Sequence, residues 1–174
     1  MGAAGDAGLE FERLYRELYP LVVRTVFLVI FDRDIAQEIT HDAFLRFWQR
    51  RDRLGENANP RGWLMKVAVN LAIDHKRAFL TTLKHRLAPT PIEDPATTAL
   101  RHLDRDEMRR ALLALPRRDR ALLVLRFEQG LSFPEMGQIL DRPEATVKTR
   151  LHRALDRLER QLGHGEADRI GEEA

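Results

Sequence analysis

The 174-residue sequence contains no cysteine, so it can form neither a disulfide nor a thiolate zinc site, and nothing in it points to secretion or redox chemistry. The cytoplasm is the expected location. Long hydrophobic runs are missing as well. The most apolar stretch, Val22 to Phe31, is interrupted by Arg24 and Thr25 and falls far short of the roughly 20 residues that span a bilayer, so no membrane insertion is expected. Residues Met1 to Gly8 have neither the basic start nor the apolar run of a signal peptide and read as a disordered lead. An excess of one charge is also lacking. The 29 Lys and Arg against 27 Asp and Glu leave a formal charge of +2, so any nucleic-acid surface must be a local basic face. Strand-like alternation is nearly absent too.

What is present is helical periodicity. Hydrophobic residues make up 44% and charged residues 32% of the chain, enough apolar surface for cores under a charged exterior, and the apolar positions recur at helical spacing over most of the length. The expected fold is all-α. Pro89, Pro91 and Pro95 break the pattern among threonines and acids, so Leu87 to Thr98 reads as an extended linker. It divides a domain over residues 9–86 from a second over residues 99–162, and the polar tail 163–174 is expected to fray.

In the first domain Phe11, Leu14, Leu18, Leu21 and Val22 mark an amphipathic helix with a bend or restart at Pro20. A second helix is expected after Asp34, with Gln37 completing a capping box, and to run to about Arg51. Asn59 and Pro60 supply the N-cap and first-turn proline of a third, which can continue to about Leu80. In the second domain Leu100, Leu103, Leu112 and Leu115 suggest one helix. Pro116 starts another that ends before Gly130, a left-handed C-cap.

The sharpest local pattern follows. Ser132 caps a short helix and Glu135 sits three residues on, a capping box with Pro134 in the first turn. Asp141-Arg142-Pro143 makes a three-residue turn, and the helix from Pro143 to Leu162 carries Val147, Leu151, Ala154, Leu155 and Leu158 on one apolar stripe. Away from that stripe project Ala145, Thr146, Lys148, Thr149, His152 and Arg153, with Arg150 and Arg157 on its flanks. A solvated charged face on an ordinary bundle helix is the competing explanation. The capped short helix, the tight turn and the small, hydroxylated and basic face together instead describe a helix-turn-helix whose second helix enters the DNA major groove.

At these residues a family likeness emerges. The run Leu115-Pro116 through Arg126, Gly130-Leu131-Ser132-Phe133 with Glu135, and Pro143 with Thr146 to Ala154 resemble region 4 of sigma-70-type factors, above all the extracytoplasmic-function (ECF) type. The resemblance implies that Ala145, Thr146, Lys148, Thr149, Arg150, His152 and Arg153 read the minus-35 promoter element while the domain sits on the flap of the RNA polymerase beta subunit. Two positions depart from the commonest pattern: Ala145 stands where glycine is frequent and Gly137 where alanine is, and neither is expected to threaten the fold.

On the helix after Asp34, Ile35, Ile39, Ala43 and Phe47 share a core-facing stripe, and Glu38, His41, Asp42, Leu45 and Gln49 share another. Glu38 and His41 have the Glu-x-x-His spacing of di-iron bundles, but the chain lacks the second copy such a site requires. The segment Ala36 to Trp48 instead resembles sigma region 2.2, which grips the clamp helices of the beta-prime subunit, with His41 where glutamine is usual. Asn59 to Asp74 resembles regions 2.3 and 2.4. Lys66, Asn70, Ile73 and Arg77 share a side with Arg61 nearby, a basic and amide face suited to a DNA strand. In family terms these residues, Trp63, and Asn57 in the preceding loop bind and open the minus-10 element, holding an unstacked base. Trp63 is equally readable as a core residue packed on the preceding helix.

The resemblance therefore implies core RNA polymerase, promoter DNA and an anti-sigma factor as partners, with no cofactor. A stand-alone helix-turn-helix regulator would not need the Glu38 face or the linker. A sigma-like decoy for an anti-sigma factor would not need Lys148, Thr149 and Arg153 on a reading face. No catalysis is expected, because His75 beside Asp74 and His152 beside Arg153 are helix neighbours that point in different directions.

Overall fold

A computed structural model describes residues 3–54, 59–75 and 106–172, with backbone alone for 3–7 and 164–172. Helices α1 (Ala3–Ile30), α2 (Arg33–Arg50) and α3 (Pro60–Asp74) pack pairwise into a three-helix bundle. The second domain holds α4 (106–114), α5 (Arg117–Leu123), which widens into a π-turn over Val124–Glu128, and then α6 (Phe133–Leu140) and α7 (Glu144–Glu172). The chain is all-α in two domains, and no strand occurs among the described residues. Among these residues no helix is long and apolar enough to cross a membrane. The linker expected at 87–98 lies outside the described residues.

The first core is built from Val22, Val26 and Val29 of α1, Ala36, Ile39, Ala43 and Phe44 of α2, and Leu64, Met65 and Ala68 of α3, all buried. Their spacing is the three-to-four-residue period that keeps side chains on one face. The two buried threonines cost little, since Thr25 Oγ1 donates to the Leu21 carbonyl and Thr40 Oγ1 to that of Ala36, at 2.8 and 2.7 Å. The second core gathers Leu122 and Leu125 of the α5 segment, Met136 and Ile139 of α6, and Val147, Leu151 and Ala154 of α7.

Element boundaries depart from the sequence expectations in five places. α1 begins at Ala3, so Ala3 to Gly8 are helical and not a disordered lead; alanines at 3, 4 and 7 are the strongest helix formers. It also runs through Pro20 without a restart. The cap of α2 is Asp32, not Asp34: Phe31 takes a left-handed φ of 60°, Asp32 is extended, and its carboxylate accepts from Ile35 N at 3.1 Å. That register puts Gln37 beyond the third helical position and removes the expected box. α3 stops at Asp74 where about Leu80 was expected, because His75 leaves the helix with ψ of 114° and its carbonyl accepts from Arg117. At the other end α7 continues to Glu172, through a tail expected to fray from Gly163.

The two domains meet face to face. α3 packs on α6 and α5, and α1 on the α5 segment. Arg24 pairs with Glu128 at 2.5 Å, Lys66 with Asp141 at 2.5 Å, and Asn70 Nδ2 donates to the Ile139 carbonyl at 3.2 Å. Arg120, buried, lies 5.6 Å over the Phe31 ring.

Candidate nucleic-acid and partner interface

Two backbone devices position the helix-turn-helix. Before α6, Gly130 has φ of 66° and Leu131 N reaches back to the Leu125 carbonyl at 3.1 Å, closing the preceding helix in the left-handed conformation expected of that glycine. Arg126 then fastens the connection, donating to the Leu131 carbonyl at 2.8 Å with its guanidinium 5.1 Å over the Phe133 ring. Ser132 donates from its backbone N–H and its hydroxyl to Glu135 Oε2, at 2.8 and 2.6 Å. These two bonds, side chain before backbone, hold the Glu135 carboxyl below its usual range, with Arg61 across the domain contact adding to the effect.

The turn between α6 and α7 is tighter than the sequence pattern alone conveys. Asp141 is left-handed at φ 51°, and Arg142 N donates to the Gly137 carbonyl at 3.0 Å. A Cβ on Gly137 would lie 2.7 Å from the Arg142 carbonyl oxygen, so this glycine permits the close approach of the turn, a role that the expectation of a neutral departure did not foresee. Pro143 offers its carbonyl to Thr146 N and Val147 N at 2.9 and 3.0 Å, starting α7.

On α7 the expected stripe is inside: Val147, Leu151 and Ala154 are buried, with Leu155 and Leu158 packed against the core. Ala145, Lys148, Thr149, Arg150, His152 and Arg153 are exposed and Thr146 is half-buried. Thr149 Oγ1 donates to the Ala145 carbonyl at 2.9 Å, and His152 Nδ1 lies 2.9 Å from the Lys148 carbonyl. With Nδ1 donating there, Nε2 of the neutral ring is an outward acceptor. This face can therefore present cations, a hydroxyl and an imidazole to phosphates and base edges.

On α2, Glu38, His41, Leu45 and Gln49 are exposed and Asp42 is half-buried, one row opposite the core. Leu45 is 55% exposed, large for an apolar residue. Asp42 receives Arg46 through both carboxylate oxygens at 3.0 and 2.9 Å. His41 is set apart from the row by its neighbours: its ring stacks on Tyr19 at 5.4 Å, and Nε2 lies 3.1 Å from the Tyr15 hydroxyl. Burial, and then the nearby Tyr19, push the Tyr15 phenol up.

The α3 face is the one the second domain covers. Lys66 and Asn70 are engaged by Asp141 and the Ile139 carbonyl, and Ile73 lines an interdomain cleft. Arg61 is exposed at the start of α3, where Asn59 caps the helix by accepting from Gly62 N at 3.0 Å. Trp63 is half-buried with its ring edge-on to Phe47 at 5.6 Å, so it packs on α2. Asn57 and Arg77 lie outside the described residues. Sequence reasoning missed the groups that close the domains, Asp141, Glu128 and the Ile139 carbonyl. No short-range pattern announces partners separated by 69 to 104 positions.

Residues 14–78 match the family model described as Sigma-70 region 2, and residues 105–158 match that described as Sigma-70, region 4. The chain is 31% identical over 173 residues to the ECF RNA polymerase sigma factor SigW of Bacillus subtilis, covering 90% of this chain and 89% of the relative. It is 30% identical over 158 residues to the ECF RNA polymerase sigma factor SigL of Mycobacterium tuberculosis, covering 88% and 89%. Two solved structures share the fold. CnrH in complex with the cytosolic domain of CnrY has a TM-score of 0.67 at 19% identity, covering 93% of this chain and 95% of that one. The sigma factor RpoE in complex with the anti-sigma factor NepR, from Bartonella quintana, has a TM-score of 0.63 at 20% identity, covering 88% and 97%.

Proposed function

From the premise that the chain belongs to the sigma-70 family, and within it to the ECF type, we propose that it binds bacterial core RNA polymerase and directs initiation by reading minus-35 duplex DNA and melting the minus-10 element. A sigma factor is not itself an enzyme, and RNA synthesis falls to the polymerase. The observation that carries the reading is the outward face of α7, where Lys148, Thr149, His152 and Arg153 stand exposed on a helix that starts directly after a tight turn from α6. Ala145, Thr146 and Arg150 complete that face.

Glu38, His41, Asp42, Leu45 and Gln49 are assigned to the clamp helices of the beta-prime subunit, and the second domain to the beta flap. Carboxylates beside one exposed leucine suit a basic, partly apolar protein surface. Arg61, Trp63, Lys66, Asn70 and Ile73, with Asn57 and Arg77, are assigned to the minus-10 element. The domain division at 9–86 and 99–162 belongs to the same reading, as does an anti-sigma partner of the kind named with the Bartonella quintana neighbour.

One step is required before promoter engagement. The two elements are centred about 25 base pairs apart, about 85 Å at 3.4 Å per pair, whereas Lys66 and Asp141 are in direct contact. The domains must separate. The stretch 76–105 between the described parts of the two domains can reach about 100 Å at most at 3.3–3.6 Å per residue, which is long enough. The test is reconstitution with core polymerase and mapping of transcription start sites; failure to bind core would remove the sigma reading.

A further inference from the structure

Between the packed domains lies a cleft of about 470 Å³ lined by α3, the start of α5, the turn after α6, and α7. Its charge is one-sided. Arg118, Arg142, Arg150 and Arg153 all contribute to the wall, and none has an ion pair or hydrogen-bond partner among the described residues. Arg157 also lines it but is paired with Asp119, which leaves Asp74 as the one other carboxylate facing the four arginines among the described residues. Ile73 and Leu140, both half-buried, supply the accessible apolar part of the lining, over the buried Leu122 and Val147.

Clefts lined by one sign of charge focus the field and concentrate counter-ions, and guanidinium forks match phosphate oxygens two at a time. The volume is within the range of small-molecule sites and equals that of a sphere only about 10 Å across, narrower than a B-form duplex, whose major groove alone is about 12 Å wide. Duplex DNA does not fit while the domains are closed. We propose that this cleft binds a free nucleotide polyphosphate, its phosphates on the four arginines and its base on the apolar wall, and that the bound nucleotide holds the domains together. The cleft draws its lining from both domains, so such a ligand favours the closed form by its differential affinity and withdraws Arg150 and Arg153 from DNA.

The test uses the full chain without polymerase, so its result is independent of sigma activity. Because the chain has no cysteine, Arg50→Cys and Glu159→Cys accept a dye pair site-specifically, and energy transfer reports the distance between the domains. Titration with ATP is expected to raise transfer, with inorganic tripolyphosphate acting at least tenfold more weakly. Arg118→Ala with Arg142→Ala is expected to raise the half-saturating ATP concentration at least tenfold; both residues are exposed, and melting curves confirm that the variant folds. The proposal is overturned if ATP binds without changing transfer, if the double variant binds like the parent, or if tripolyphosphate equals ATP. It is equally overturned if only a promoter duplex, added as the alternative source of phosphate, occupies the arginines and lowers transfer.

Discussion

Replacing Asp141 by asparagine removes one charge from the domain contact while keeping a side chain that tolerates the left-handed backbone at this turn. The pair it breaks, Lys66 Nζ to Asp141 Oδ1 at 2.5 Å, is between side chains that are 41% and 69% exposed. Water screens such a pair, so its worth is about 0.2–1 kcal/mol and not the several kcal/mol of a buried pair. Converted at RT of about 0.59 kcal/mol, the closed-to-open ratio should fall about 1.4- to 5-fold in Asp141→Asn. The assay is interdomain energy transfer at about 0.05 M and about 0.5 M salt. The Debye length shrinks from more than 10 Å at the first to a few ångströms at the second, so parent and variant should differ at low salt and converge at high salt. Identical populations at low salt would refute the lock. A difference undiminished by salt would show that the asparagine acts through the turn and not through charge.

Other expectations follow from the same geometry. Glu38→Lys with Asp42→Lys should weaken core-polymerase binding by at least about tenfold, since like charges set against a partner cost several kcal/mol; thermal melting should move little, because the side chains of the Asp42–Arg46 pair are each 43% exposed and water screens them. Lys148→Ala and Arg153→Ala should each lower the slope of log affinity against log salt for a minus-35 duplex by about 0.9, as loss of one phosphate contact does; unchanged slopes would clear both residues of phosphate contact. Gly130→Ala should destabilise the second domain by about 1–2 kcal/mol in denaturant unfolding, the cost of a left-handed alanine, although no atom lies within 4 Å of where its Cβ would stand. Glu135 has a lowered carboxyl pKa, so its cap contributes stability above the unfolded-state value of about 4.3 and loses it as pH falls through the folded value. Protection of the amides at the start of α6, taken relative to the intrinsic exchange rate at each pH, should therefore fall only in acid below about pH 4, and a fall near pH 6 would contradict that sign.

The helical class, the helix-turn-helix and the outward rows on α2 and α7 were readable because each depends on residues close in sequence. A cap and its partner at Ser132 and Glu135, or a glycine at 130, announce themselves within one turn. The start of α2 is less legible, for a related reason. Asp32 and Asp34 are both sound caps, and the choice falls to Phe31, whose left-handed φ no aromatic residue advertises. The end of α3 carries no glycine or proline signal at all, since the backbone departs at His75, whose carbonyl meets Arg117 in the other domain. The covering of Lys66 and Asn70 was beyond reach, because periodicity reports that a face is polar but not what lies against it. Trp63, readable both ways, packs on Phe47.

The π-turn at Val124–Glu128 holds one residue more than a regular helical turn would need, with Gln129 N reaching five positions back to the Val124 carbonyl at 3.0 Å. Its consequence concerns insertions and deletions more than substitutions. Removing a single residue here would let the segment relax into an ordinary α-helix, but everything downstream would swing by about 100° around the axis of α5. Glu128 would leave Arg24, and the helix-turn-helix would face a new direction with every side chain of its own unchanged. The spare residue thus sets the bearing of the reading helix, as a shim sets the alignment of a bearing block. A homologue differing by one residue in this loop should be compared by angle before it is compared by sequence.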